Sequence, residues 1–294
     1  MNLLKTLRIA TCFATLLTAQ STMAADRPLN KMEVKTYEPI VAKVNELNAK
    51  YGAENVLIVL DIDNTILTSS VDLGGDIWYQ WQRGKLDIKP SLEQKVSCLF
   101  EDSIGLLYEL TPMYLTEENL PNIISSWQQT NTLFALTSRA PKYRPATERE
   151  LDNKGIDLAK AAIAPVGQKA PLYREMLERE MSYMEGIMMT SGMNKGEMLD
   201  YLLSKTGRKF DAFVFVDDSE KNIVDLYNNY KSQNTIDRNI VHYINIEAKR
   251  EAEFGALITK VQADQMASQW TKLNETLNAI FPQRNTSGKC LSID

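Results

Sequence analysis

The chain has 294 residues, 44% hydrophobic and 24% charged, with a formal net charge of −5. That composition excludes a disordered or repetitive polymer and suffices for one large domain, or a domain carrying a cap. No basic patch stands out, which argues against nucleic acid as a partner. The single histidine, His242, excludes a histidine-cluster zinc site and leaves a Ser-His-Asp triad resting on one residue of a strand-like run, NIVHYINI.

In chain order, the first residues read as a targeting segment. Lys5 and Arg8 give a basic start, Ile9–Ala19 is apolar, and Thr22-Met23-Ala24 offers small residues at a cleavage position. This is the pattern of a secretory signal peptide over residues 1–24, too short for a stable membrane anchor. Cys12 follows Thr11 and sits too early for a lipoprotein site. The expectation is an exported protein, periplasmic or secreted. Removing the segment takes two cations and no acids, so the mature net charge is about −7. No later apolar run reaches membrane-spanning length. Cys98 and Cys290 survive processing; an oxidising compartment allows them to pair, and two separate thiols are the alternative.

Ile40, Val41, Val44 and Leu47 recur at helical spacing in a segment from about Val34 to Tyr51, which Gly52 ends. Then comes VLIVLD, a strand apolar throughout. Four more short apolar runs follow: Leu133–Thr137, Gly186–Thr190, Phe213–Asp217 and Ile240–Ile244. Helical stretches lie between them at 117–129, 147–154, 195–205 and 220–230. Fully apolar strands alternating with helices predict a Rossmann-like α/β fold, a parallel sheet with helices on both faces. The connection from Ser69 to Glu118 is far longer than a crossover needs. It reads as a small cap inserted after the first strand, at about 69–116, within a domain spanning 25–281. It contains Trp78, Tyr79 and Trp81, which either pack the cap or line a pocket, packing being the stronger reading. Residues 247–280 read as largely helical, and 282–294 as a loose tail.

In a parallel sheet, ligands lie at the carboxyl ends of the strands. Asp61 and Asp63 close the most apolar strand, in the sequence DIDNT. An ionised carboxylate beside a core costs several kcal/mol unless a cation or reacting group compensates. A calcium loop fits poorly: its sixth position would be Ile66 where the turn needs glycine, and a strand precedes it. Thr137 and Ser138 close LFALTS. Asp217 and Asp218 close FVFVDD, with Asn222 following, and Lys195 opens a helix between them. Adjacent acids at a buried strand tip repel each other unless a cation is near.

These four elements in this order, Asp-x-Asp, Thr/Ser, Lys and the acidic pair, resemble the haloacid dehalogenase (HAD) superfamily over about residues 56–244. DIDNT with TSRAP and VDDSEKN also resembles a family of secreted bacterial HAD-like proteins of undefined function. The resemblance implies a magnesium-dependent phosphatase acting on small-molecule phosphomonoesters through an aspartyl-phosphate. Asp61 would be the nucleophile and Asp63 the general acid and base. Thr137, Ser138 and Lys195 would bind the phosphoryl group. Mg²⁺ would be held by Asp61, the Asp63 backbone carbonyl, and Asp217 or Asp218, with Asn222 supporting the acidic loop. A carboxylate at Asp63 favours phosphatase or phosphomutase chemistry over dehalogenation, and export favours the phosphatase. A phosphotransferase and a non-catalytic binding protein are the alternatives. Arg139 and Arg144 are expected on the surface of the following helix.

Overall fold

A computed structural model describes residues 26–285 and Cys290. The predicted signal segment therefore lies outside the described residues. The elements in order are β1 (Leu29–Val34), α1 (Glu38–Tyr51), β2 (Val56–Leu60), β3 (Leu67–Ser69), α2 (Asp76–Gln82), α3 (Ile104–Leu110), β4 (Met113–Leu115), α4 (Leu120–Trp127), β5 (Thr132–Thr137), α5 (Arg144–Asp152), β6 (Tyr173–Met176), β7 (Glu180–Met184), β8 (Ile187–Met189), α6 (Lys195–Thr206), β9 (Ala212–Asp217), α7 (Glu220–Tyr230), β10 (Asp237–Tyr243), α8 (Asn245–Phe254) and α9 (Lys260–Ile280).

The predicted α/β architecture is present. An eight-stranded sheet runs β1-β10-β9-β2-β5-β8-β7-β6, parallel from β1 through β8 and antiparallel only at the β8-β7-β6 edge. Strands β2 and β9 lie at its centre and are buried along their whole length. Burial on both faces explains why they read as unbroken apolar runs instead of alternating ones. The sheet divides the core in two. Ile58, Leu60 and Val214 face one layer with Ile40 and Val44 of α1; Leu57, Val59 and Phe213 face the other with Leu199, Leu202 and Leu226 of α6 and α7.

Two features depart from the sequence reading. β2 is not the first strand: β1 pairs in parallel with β10 over six positions, its sequence LNKMEV being too polar to stand out. The β6–β7 hairpin also went unread. It turns into β8 through Glu185 and Gly186, both at positive φ. Gly186 has a second constraint, since a Cβ there would lie 2.2 Å from the Leu158 carbonyl oxygen. The C-terminal segment is largely helical, as expected, in two helices parted at Gly255, where φ is 72°.

The inserted segment starts and ends in a two-stranded antiparallel ribbon, β3 with β4. Trp78 and Trp81 are fully buried in a separate cluster with Leu107, Met266 and Ala263, and Trp270 packs against it. The tryptophans therefore pack the cap, and α9 supplies the other half of that core. Cys98 and Cys290 form a disulfide, with Cα atoms 5.4 Å apart across 192 residues. The segment read as a loose tail is thus tied at Cys290 to the inserted cap.

Candidate functional site

The three central parallel strands β9, β2 and β5 end side by side, and each delivers a polar residue at its carboxyl end. Asp61 follows β2 directly and its N–H donates to Val216 O at 2.9 Å, continuing the ladder for one more bond. The chain then reverses tightly: the N–H groups of Ile66 and Leu67 both donate to Ile62 O. Asn64 sits in the left-handed region at φ 52°, which asparagine tolerates better than most residues. Asp63 stays near enough to Asp61 for its charge to raise the Asp61 pKa.

Lys195 is the centre of the arrangement. It occupies the first turn of α6, whose N-cap Asn194 accepts from the N–H groups of Gly196 and Glu197. Its side chain is fully buried, with Nζ 2.7 Å from Asp61 Oδ1 and 2.6 Å from Asp217 Oδ2. Burial alone would lower its pKa; the carboxylates of Asp217 and Asp61 outweigh that and raise it. The ammonium is held charged. A reading of Lys195 as a surface helix residue is excluded.

Asp217 is saturated. Oδ1 accepts from Ser219 N at 2.9 Å and from Asn222 Nδ2 at 3.0 Å, while Oδ2 accepts from Lys195. Asn222 thus supports the acidic loop, as expected. Asp218 differs. It is 8% exposed and its pKa is raised well above the carboxylate range, first by burial, then by the charges of Asp76, Asp217 and Asp61. Its backbone carbonyl accepts from His242 Nε2 at 3.0 Å, which assigns the proton to that nitrogen. The lone histidine thus supports the acidic loop through a backbone carbonyl, and its Nδ1 lies 3.4 Å from Glu33 Oε2. Asp61, 5% exposed, is pushed up to about 8, chiefly by burial, with Asp217 and Asp63 adding and Lys195 opposing.

Asp61, Asp217 and Asp218 present carboxylate oxygens all within 4.8 Å of one another. One ammonium cannot balance three buried carboxyl groups: were all three ionised, two negative charges would stand uncompensated, which is why burial and mutual repulsion raise Asp61 and Asp218. A divalent cation matches that deficit in charge, and an all-oxygen donor set suits a hard ion such as Mg²⁺. Because the lone pairs of Asp217 are spent on Lys195, Asn222 and Ser219, Asp61 and Asp218 are the carboxylates with capacity to hold it.

Thr137 ends β5 fully buried, and its Oγ1 accepts from Arg139 N at 3.2 Å; Ser138, between them, is exposed. Arg139 overturns the sequence reading. It is 4% exposed and not on a helix surface: Nε and Nη2 donate to the two oxygens of Asp63 at 2.8 and 2.7 Å. Arg144 is likewise buried, donating to Ser182 Oγ and Ile187 O. The sequence carried no local signal for Arg139, which lies in the bend just past the end of β5. The distant Asp76 had none either. It opens α2 of the inserted segment, and Asn64 Nδ2 donates to it at 3.2 Å.

No helix among the described residues is long and apolar enough to cross a membrane. No curated protein matches the chain. Residues 33–282, which include every site residue above, match the family described as a protein of unknown function (DUF2608), and the chain belongs to that family.

Proposed function

We propose that the protein is an exported, magnesium-dependent phosphatase of the HAD type, cleaving phosphomonoesters through an aspartyl-phosphate on Asp61. One observation carries this reading: a buried lysine bridging two aspartates at the tips of adjacent parallel strands, with a third acid beside them. A structural ion pair needs one carboxylate per lysine. Three acids around one lysine, ionised together only if a divalent cation joins them, suit an anion-handling site that works with such a cation. Asp61 and Asp218 would hold such a cation, which would supply charge neutralisation for a phosphate ester.

The chain's own residues supply the rest. Asp61 is the nucleophile, and its carbon skeleton is fixed by the β2 ladder. Lys195 and Thr137 stabilise the equatorial oxygens of the phosphoryl group in transfer. Asp63 protonates the leaving oxygen and then takes a proton from the water that hydrolyses the intermediate. Asp217 holds Lys195 in place. Purified protein assayed with p-nitrophenyl phosphate, with and without Mg²⁺, tests the reading. Magnesium-dependent turnover that Asp61→Asn removes supports it. Tight Mg²⁺ binding with no turnover of aryl or alkyl phosphates would favour a binding protein instead.

A further inference from the structure

Asp63 is clamped. Both of its oxygens accept from one guanidinium, and that guanidinium is itself fixed. Arg139 Nη1 donates to Thr147 Oγ1 at 2.9 Å, and Thr147 in turn donates to Tyr143 O at 2.8 Å. Nη2 also reaches the Met113 sulfur at 3.2 Å. The ring of Tyr108 covers the guanidinium, 4.2 Å from Cζ to the ring centroid. Thr147 belongs to α5 of the core, whereas Tyr108 on α3 and Met113 on β4 belong to the inserted cap. Arg139 is therefore gripped from both sides of the cap–core junction. Its side chain is 1% exposed and that of Asp63 is 21% exposed, so the open edge of the pair is the carboxylate's.

We propose that Arg139 is the positioning residue for Asp63, and that Tyr108 and Met113 make that position depend on how the cap is seated. The inference rests on the phosphatase reading. Each carboxylate oxygen keeps a second lone pair after accepting from Arg139, so the clamp leaves room for a proton in transfer. In the first half-reaction the bond from phosphorus to the leaving oxygen breaks as the bond to Asp61 forms, and Asp63 passes its proton to the leaving oxygen. In the second, water attacks phosphorus, the bond to Asp61 breaks, and the proton of water returns to Asp63. Neither transfer tolerates a carboxylate free to rotate, and a bidentate fork fixes both the place and the plane of the group. Lysine keeps the charge without the fork.

The test compares full-length wild type with Arg139→Gln, Arg139→Lys, Asp63→Asn and the Arg139→Gln/Asp63→Asn double variant. Each is assayed with Mg²⁺ on p-nitrophenyl phosphate and on glycerol phosphate, whose poor leaving group needs the acid. Arg139→Gln is expected to lower kcat on glycerol phosphate by about 10²-fold, and on p-nitrophenyl phosphate by a few-fold, with KM little changed. Arg139→Lys should not restore the rate. In the Asp63→Asn background, Arg139→Gln should cost little more. Equal losses on the two substrates, additive losses in the double variant, or a loss confined to KM would overturn the proposal. Tyr108→Leu removes the covering ring but no ion-pair partner. It should give the same leaving-group-selective loss, smaller in size, and equal loss on both substrates would count against cap coupling even if Arg139→Gln does not fold. A wild type inactive on both substrates would instead overturn the phosphatase reading and this inference with it.

Discussion

The ammonium of Lys195 lies 2.7 Å from the carboxylate of Asp61, and neither side chain is more than 6% exposed. Water contributes little to solvating either charge: the ammonium depends on Asp217 and Asp61, and a charge on Asp61 depends on the ammonium. Replacing Lys195 by Met leaves the fully buried carboxylate of Asp217 without its cation. In metal-free protein this should lower stability by about 3–5 kcal/mol. Added Mg²⁺ should recover part of that loss, and phosphatase activity should not return. Urea denaturation with and without Mg²⁺ measures the first two, and an aryl phosphate assay the third.

Asp61→Asn should abolish turnover and also change how stability depends on pH. In the folded metal-free protein Asp61 titrates near 8 because it is buried, against about 4 in an unfolded chain. Between those values the folded state holds a proton that the unfolded state has released. Stability should therefore fall as pH rises from about 4 to 8, by at most about 1.4 kcal/mol per pH unit for one group. Asp218, raised by the same cause, acts in the same direction. Asp61→Asn should flatten the curve, and the variant should be more stable than wild type at pH 8 without metal. A denaturation series across pH in a chelator would show it; parallel curves for the two proteins would refute it.

The two adjacent acids should separate in a melting experiment. Mg²⁺ at about one hundred times its dissociation constant adds about 2.7 kcal/mol to the native state. In a protein of this size that raises Tm by roughly 5–10 °C. Asp218→Asn should remove most of that rise. Asp217→Asn should keep more of it but start from a lower Tm, because it strips a partner from Lys195, Asn222 and Ser219 N. The reverse pattern would move the ligand role to Asp217.

Cleaving the Cys98–Cys290 disulfide should loosen the cap. It closes a loop of 192 residues and ties the C-terminal end to a segment whose core includes Trp78 and Trp81. Cys98→Ser with Cys290→Ser should lower stability by about 2–5 kcal/mol. The tryptophan emission should shift toward that of exposed indole at a lower denaturant concentration than in wild type. Unchanged emission would mean that packing of α9 alone seats the cap.

Much of this molecule was determined by local sequence. The strands β2, β5, β9 and β10 were legible because strands buried on both faces must be apolar throughout, and the helices between them because one face must be. Asp61, Asp63, Thr137, Lys195 and Asp217 were legible as candidates because polar residues at the tips of such strands, or at the start of the helix between them, need a reason to be there. What tertiary structure decided is everything that depends on a distance between remote residues. LNKMEV becomes a strand only because β10 offers an edge. The pairing of Cys98 with Cys290 follows from α9 folding back over the inserted segment. Asp217 and Asp218 are equivalent as letters and differ only because Lys195, Asn222 and Ser219 use up one of them. Arg139, in sequence one more charged residue before a helix, becomes a buried clamp on Asp63 because β5 ends beside β2 and the cap closes over the guanidinium. Neighbours along the chain fix where a carboxylate sits on its strand; neighbours across the sheet decide whether it is free to act.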